Sequence, residues 1–133
     1  MSQNYIQGQW VAASGQTTVQ VINPSTEEML AEMQLASVQD VDQAILAADQ
    51  ALASWSKTSV EIRAQYLTKI ADGLEANKAD LSLLSHRNNG KPLYEAEIDL
   101  EDSIACFRYY ADLIQRFPLH SLQQHDNGIQ TYL

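Results

Sequence analysis

Cysteine and glycine are scarce in this chain of 133 residues. The single cysteine, Cys106, cannot form an internal disulfide, so the composition favours a reducing compartment, and we expect the cytoplasm. The five glycines form neither a G-x-G-x-x-G nor a G-x-x-x-x-G-K motif, which leaves no phosphate-binding loop to argue for. No apolar run is long enough to span a bilayer. These absences argue against a disulfide-stabilised secreted protein, a nucleotide-binding loop and a transmembrane helix.

Basic residues are also few. Eight Lys and Arg stand against 17 Asp and Glu, and the net charge is −9. That charge repels nucleic acid and anionic membranes, so neither is an expected partner. Apolar residues make up 45% of the chain, too many for a disordered tail, and the start MSQNYIQGQW lacks the profile of a secretory signal. The composition predicts one folded domain with a solvated acidic surface.

Residues 5–36 are predicted to form a β-hairpin and short strands. Gln7-Gly8 is a tight-turn dipeptide between two short apolar stretches. The segment TTVQVI then alternates its side chains between two faces, as a strand does. Asn23-Pro24-Ser25-Thr26 favours a turn, because proline fixes φ and Asn and Ser can bond their own backbone. A strand over about Met29–Met33 follows, although Ala and Glu are weak strand formers.

Residues 37–117 are predicted to form a layer of about four helices. Ser37 with Asp40, and Thr58 with Glu61, have the spacing of capping boxes for the first and second helices. Apolar residues recur at steps of three and four in the first helix, which predicts one buried stripe: Val41, Ala44, Ile45, Ala48, Ala51, Leu52 and Trp55. A similar stripe predicts the buried face of the second: Ile62, Tyr66, Leu67, Ile70, Ala71 and Leu74.

Two further helices follow. The third carries Leu81 and Leu84 and is expected to end at Asn88-Asn89-Gly90, where Asn and Gly tolerate the left-handed conformation of a helix cap. The fourth is predicted from about Leu93 to Phe117, where Pro118 stops it. Its apolar side comprises Leu100, Ile104, Phe107, Ala111, Ile114 and Phe117.

Residues 118–133 are predicted to be a loop and the start of a strand. Asp126-Asn127-Gly128 favours a turn into a strand at Ile129–Leu133, for which the sequence offers no obvious partner. Two or three short strands also rarely stand alone. We therefore interpret residues 1–133 as a single partial domain, truncated from something larger.

The residues with reactive side chains have ordinary explanations. Cys106 has no neighbouring histidine, arginine cluster or helix amino terminus to activate it, and we expect a packing residue rather than a nucleophile. His86, His120 and His125 lack the spacing and companions of a metal site. Several acids follow the start of the fourth helix, where the helix dipole favours negative charge: Glu95, Glu97, Asp99, Glu101 and Asp102. From the residues alone, no active site is visible.

Six stretches, taken in order, resemble the amino-terminal part of the aldehyde dehydrogenase superfamily. They are Y-I-x-G-x-W at 5–10, V-I-N-P-S-T-E-E at 21–28, D-V-D-x-A-I-x-A-A at 40–48, R-A-x-x-L-x-x-I-A-D at 63–72, N-G-K-P-L-x-E-A at 89–96 and C-F-R-Y-Y-A-D-L at 106–113. The details around N-N-G-K-P and C-F-R-Y-Y-A look closest to the betaine and aminoaldehyde dehydrogenase branch. The resemblance implies an α/β family fragment, with a β-hairpin, short strands and about four α-helices belonging to a Rossmann-like NAD(P)-binding domain.

The resemblance also implies a reaction for the full-length parent. In this family a cysteine thiolate attacks an aldehyde, hydride passes to NAD or NADP, and a glutamate-activated water releases the carboxylic acid. The cysteine, the glutamate, the oxyanion-hole asparagine and the cofactor loop lie downstream of the matched region in family members. None maps onto this chain, and Cys106 matches no nucleophile motif. The chain alone is therefore expected to bind no cofactor and to be inactive.

One metal site is implied by the resemblance. Family members often bind a structural monovalent cation between backbone carbonyls just before the N-P turn and an acid about ten residues before the Y-Y pair. The corresponding residues here are Val21, Ile22 and Asp99. Carbonyl and carboxylate oxygens suit K⁺ or Na⁺, which are hard cations. A third element of the site lies downstream of this chain.

Two functions remain open at this point. The first is the amino-terminal segment of an NAD(P)-dependent aldehyde dehydrogenase, whose apolar surfaces face a larger body. The second is a free-standing helical interaction or regulatory protein derived from that family. If the first is right, truncation should leave apolar surface exposed on the hairpin and on the stripes of the second and fourth helices, and that surface should promote homo-oligomers.

Overall fold

The computed structural model of the protein describes residues 3–117, 122–126 and 128–132. Short strands precede four helices, as the sequence predicts: β1 (Gln3–Ile6), β2 (Gln9–Ala12), β3 (Thr18–Ile22), β4 (Met29–Gln34), α1 (Val38–Trp55), α2 (Val60–Ala76), α3 (Lys78–Asn89) and α4 (Leu93–Arg116), followed by β5 (Leu122–Gln124) and β6 (Gln130–Tyr132). Over these described ranges, no helix combines the length and apolar character needed to cross a membrane. The strands form three separate two-stranded antiparallel sheets rather than one sheet.

The first hairpin turns at Gln7-Gly8, as predicted. Both residues have positive φ, 52° and 78°, which matches the right-handed twist of two adjacent antiparallel strands. Tyr5 and Trp10 are directly opposite each other, and their rings meet edge to face with centroids 5.1 Å apart. This aromatic pair stabilises a hairpin that consists of two strands only.

The last hairpin corrects one prediction. The strand expected near the end of the chain does have a partner, because β6 pairs with β5, with Gln124 opposite Gln130. The sequence Leu-Gln-Gln of β5 lacks β-branched and aromatic residues, so its composition did not indicate a strand. The predicted loop at 118–121 and the final residue of the predicted strand lie outside the described residues.

Asp40 joins the start of α1 to the loop before β3. The predicted capping box is present: the Ser37 hydroxyl accepts from the Asp40 amide at 3.1 Å, and Asp40 Oδ2 accepts from the Ser37 amide at 2.8 Å. The same carboxylate accepts from the amide and hydroxyl of Ser14, at 2.9 and 2.8 Å. Hydrogen bonds from the amides of Ser37 and Ser14 lower the pKa of Asp40 to about 2.

The start of α2 differs from the prediction by one residue. Ser59, not Thr58, is the N-cap, and its hydroxyl accepts from the Ile62 amide at 3.4 Å. The Thr58 hydroxyl donates instead to the carbonyl of Ser54. Glu61 still belongs to the cap, because hydrogen bonds from its own amide and from the Ser59 hydroxyl lower its pKa.

The compact part of the molecule is formed by α4, which packs along α2 and also contacts α3. Arg108 of α4 pairs with Glu75 of α2, and Lys78 at the start of α3 pairs with Glu101 of α4. The buried apolar side chains in these helices are small, with one exception: Ala64, Ala71, Ala96, Ile104 and Ala111. Small residues allow helix backbones to approach closely, and each contributes little apolar area to the contact.

The stripe predicted to be buried on α1 is exposed except at Ala44, which is half-buried. Ile45 and Leu52 are 61% and 57% exposed, and only Asp40 is buried in the whole helix. On α2, the prediction holds for Ala71 but fails for Tyr66, which is half exposed. The helices α2 and α4, both expected to face a larger body, mostly face each other. Within the described ranges, the contact of α1 with another helix is at its end, where the Trp55 ring lies 5.7 Å from that of Tyr66 and below the guanidinium of Arg63 in α2.

Candidate functional site

The end of β3, just before the β3–β4 turn, contains the first part of the predicted cation site. Pairing shifts by one residue between Val21 and Ile22, so the ladder is interrupted where the two candidate carbonyls lie. Asn23 is buried, its Oδ1 accepts from the Ser25 amide at 2.9 Å, and its amide donates to the Glu28 carbonyl at 2.9 Å. The backbone before Pro24 is therefore fixed by local hydrogen bonds.

Gly90 brings this turn to the end of α3. It adopts the left-handed conformation, with φ of 77°, as predicted for the helix end. A Cβ atom at Gly90 would lie 2.7 Å from Cγ of Pro24 and 3.4 Å from Oγ of Ser25. Glycine is therefore required twice here, for its backbone conformation and for the close approach of the β3–β4 turn.

Lys91 and Asp99 form the second part of the site. The Lys91 ammonium makes an ion pair with Oδ2 of Asp99, two turns into α4. The main chain of Lys91 is also held, because its amide donates to Asn89 Oδ1 at 3.0 Å and its carbonyl lies 2.6 Å from Nδ1 of His86. This role of Lys91 was not predictable from the sequence, because Lys91 precedes the helix and its distance of eight positions from Asp99 matches no helical spacing.

The Gly90–Lys91 segment links the elements that carry the residues of the predicted cation site. Contacts run from the β3–β4 turn to Gly90, and from Lys91 to Asp99. The oxygen donors Val21, Ile22 and Asp99 have the chemistry that K⁺ or Na⁺ prefers. The Lys91 ammonium already supplies one positive charge to the Asp99 carboxylate, so an ion there would share or displace it. The cation site remains a prediction.

Over the described ranges, the other reactive side chains do not converge. No group of three or more His, Cys, Asp or Glu side chains could hold a metal ion in this part of the chain. Cys106 is exposed on α4, which corrects the expectation of a packing residue. His86 contacts the Lys91 carbonyl in the segment after α3 through its Nδ1 atom, and His120 lies outside the described residues.

The acids near the start of α4 are solvated, as predicted. All five are exposed: Glu95, Glu97, Asp99, Glu101 and Asp102. Lys78 and Lys91 pair with two of them, and the Tyr94 hydroxyl donates to Glu95 at 3.1 Å, which raises the pKa of Tyr94. These contacts can position the start of α4 and attract cations, but they supply no nucleophile.

Nearly the whole chain is similar to proteins of one known family. The model of the family described as "Aldehyde dehydrogenase family" matches residues 10–133. Aminoaldehyde dehydrogenase 2 of Solanum lycopersicum is 39% identical over 115 residues, which are 85% of this chain and 23% of that protein. The peroxisomal aminoaldehyde dehydrogenase 2 of Pisum sativum is 39% identical over 119 residues, 86% of this chain and 24% of its own. The chain spans about a quarter of the length of these curated relatives.

Solved structures show the same arrangement of strands and helices. A point mutant of betaine aldehyde dehydrogenase from Staphylococcus aureus, crystallised in complex with NAD⁺, superposes with a TM-score of 0.83 at 30% identity. The superposition covers 94% of this chain and 26% of that one. The described elements therefore have the fold of an amino-terminal fragment of such an enzyme, and this chain belongs to the aldehyde dehydrogenase family.

Proposed function

We propose that the chain is the amino-terminal segment of an NAD(P)-dependent aldehyde dehydrogenase that oxidises betaine aldehyde or an aminoaldehyde to its carboxylic acid. The main support for this proposal is the 39% identity to aminoaldehyde dehydrogenase 2 of Solanum lycopersicum over 85% of this chain, which corresponds to 23% of that enzyme. The S. aureus betaine aldehyde dehydrogenase supports the same substrate branch, and its complex with NAD⁺ supports that cofactor for the parent.

The role proposed for these residues is that of a scaffold. In the described part of the chain, Cys106 has no hydrogen-bonded base beside it, and a nucleophile of this kind needs activation. NAD or NADP would be bound by the remainder of the parent. We expect the 133 residues alone to be inactive, and the parent to be cytoplasmic with K⁺ or Na⁺ at Val21, Ile22 and Asp99.

Self-association is a further part of the proposal. The exposed apolar residues of α1 and α2 favour contact with other apolar surfaces in water. We therefore expect the isolated chain to form homo-oligomers at high concentration. Analytical ultracentrifugation of the purified chain measures this directly, and a compact monomer at high concentration would contradict it.

The test of the proposed function compares the chain with its parent. An antibody against this segment, applied to an extract of the source cells, should detect a band several times heavier than 14.8 kDa. That protein, once purified, should reduce NAD or NADP with betaine aldehyde or an aminoaldehyde, whereas the 133-residue chain should neither bind NAD nor turn over an aldehyde. A single band at 14.8 kDa would favour the free-standing interaction protein instead, and turnover by the chain alone would contradict the scaffold role.

A further inference from the structure

Two asparagines of this chain are followed by glycine, Asn89 before Gly90 and Asn127 before Gly128. Asparagine is a chemically labile residue, because the backbone nitrogen of the next residue can attack its side-chain carbonyl carbon. Glycine obstructs that attack least, since it has no Cβ atom. Asn127 lies outside the described residues, whereas Asn89 is exposed to water at the end of α3.

The side chain of Asn89 is held at both of its polar atoms. Its Oδ1 accepts from the Lys91 amide at 3.0 Å, and its Nδ2 donates to the Ser85 hydroxyl at 3.2 Å. The Lys91 amide polarises the side-chain carbonyl and stabilises negative charge that develops on Oδ1 during an attack on Cγ. This contact therefore favours the reaction at Asn89.

The attacking nitrogen, by contrast, is occupied in the folded chain. The Gly90 amide donates to the His86 carbonyl at 3.0 Å, which makes it the final hydrogen bond of α3. Gly90 is also confined by Pro24, whose Cγ would lie 2.7 Å from an added Cβ atom. The nitrogen can turn towards Cγ of Asn89 only after this last turn opens, and helix ends open more readily than helix interiors.

We propose that Asn89 is a modification site whose deamidation is gated by the last turn of α3. When the turn opens, the Gly90 nitrogen loses its proton to solvent and bonds to Cγ of Asn89, and the Cγ–Nδ2 bond breaks with release of ammonia. Water then opens the resulting five-membered imide at either carbonyl and leaves aspartate or isoaspartate. Water is the only co-reactant, and the step is independent of the proposed function.

Either product changes the contact between the end of α3 and the β3–β4 turn. Both place a negative charge at the carboxyl end of the helix, where the helix dipole disfavours it. Isoaspartate also adds one carbon to the main chain immediately before Gly90, which lies against Pro24. The original close approach is then lost, so the modification permanently marks chains in which the end of α3 has opened.

The rate of deamidation in the folded chain provides the first measurement. The purified chain and a synthetic peptide of residues 84–94 are incubated together at neutral pH, below the Tm of the chain. Peptide mass spectrometry follows conversion of the Asn89 amide to an acid, and enzymatic carboxyl methylation detects isoaspartate. The folded chain should react more than about tenfold more slowly than the peptide, because its Gly90 amide is released only in the open state.

Two glycine variants separate opening of the last turn from unfolding of the whole chain. Arg87→Gly weakens the last turn of α3, and Gln50→Gly makes a matched change in α1, since both positions are exposed and Arg and Gln have similar helix propensities. Arg87→Gly should speed deamidation at Asn89 about threefold to fivefold, after correction by a peptide with the same substitution. Gln50→Gly should change it less than about 1.5-fold.

Three results would overturn the gated site. Equal rates in the folded chain and the peptide would show that the Gly90 amide is already available. Equal acceleration by Arg87→Gly and Gln50→Gly would show that the reaction requires unfolding of the whole chain. A folded chain that stays unmodified in both variants while the peptide reacts fully would show that the end of α3 does not open. None of these measurements uses dehydrogenase activity, so failure of the site is distinguishable from failure of the proposed function.

Discussion

Lys91 forms an ion pair with Asp99 across the junction between α3 and α4. The same lysine follows Gly90, which touches the turn before β4, so one short segment joins the two parts of the predicted cation site. Both side chains are partly exposed, and pairs of this kind contribute about 0–1 kcal/mol. The pair matters more for its position than for its contribution to stability.

The first prediction concerns cations at Asp99 in the full-length parent enzyme, which would supply the third element of the site. If K⁺ or Na⁺ shares the carboxylate, Lys91→Met should increase the rise in Tm that KCl produces relative to choline chloride at equal ionic strength, because one competing positive charge is removed. Asp99→Ala should abolish that difference. Asp102→Ala removes another exposed acid of α4 and serves as the control. The cation site is wrong if the parent enzyme carrying Asp99→Ala keeps the full potassium effect.

Two glycines should respond to alanine in opposite directions. Gly90→Ala introduces a Cβ 2.7 Å from Pro24 Cγ at a φ of 77°, so it should lower the free energy of unfolding by more than about 1 kcal/mol. Gly73 lies inside α2, and a Cβ added there would meet no atom within 4 Å, so Gly73→Ala should raise the free energy of unfolding by about 0.5–1 kcal/mol.

Urea unfolding, followed by circular dichroism, measures the free energy of unfolding of both glycine variants. Each variant adds one methyl group, so the comparison measures the combined cost of the left-handed backbone at Gly90 and of its contact with the β3–β4 turn. Equal stability of the Gly90→Ala chain and the unaltered chain would show that the turn does not lie against the end of α3.

The third prediction concerns Asp40 and pH. Its pKa is about 2 in the folded chain against an ordinary value of 3.8, because the amides of Ser37 and Ser14 donate to the charged form. A lowered pKa contributes stability that is present above about pH 4 and is lost as the pH falls towards 2. Asp40→Asn should therefore lower the free energy of unfolding at neutral pH. Its difference from the free energy of unfolding of the unaltered chain should narrow between about pH 4 and pH 2.

Two further variants serve as comparisons for Asp40→Asn. Ser37→Ala removes the capping hydroxyl and should cost about 1 kcal/mol at neutral pH. Asp42→Asn changes an exposed acid of the same helix and should leave the pH dependence in this window unaltered. The role of the charged carboxylate would be contradicted if the free energies of unfolding of the Asp40→Asn chain and the unaltered chain differed by a constant amount from neutral pH down to about pH 2.

Local chemistry explains which parts of the fold were predictable. The turn at Gln7-Gly8, the capping pair Ser37 and Asp40 and the helix end at Gly90 each depend on residues close in sequence, and all three predictions are confirmed. Thr58 was mistaken for a cap because Thr58 and Ser59 both suit that position, and sequence does not show which hydroxyl is nearer to the helix amides.

Distant contacts explain what was missed. Ser14 lies 26 residues before Asp40, and its two hydrogen bonds to that carboxylate have no local pattern. The exposure of Ile45 could not be read from a stripe, because periodicity shows which face is apolar and not what covers it. For the candidate site, the oxygen donors could be proposed from the family resemblance, but the ion pair of Lys91 depends on how the chain turns after α3.

The three separate hairpins also bear on the order in which the chain folds. Each strand pairs with its neighbour in sequence, so every sheet can form as soon as its own short segment is available. The approach of Pro24 to Gly90 joins residues far apart in sequence and closes a long loop, which is slower. We therefore expect the hairpins to form during synthesis and the β3–β4 turn to meet the end of α3 only afterwards.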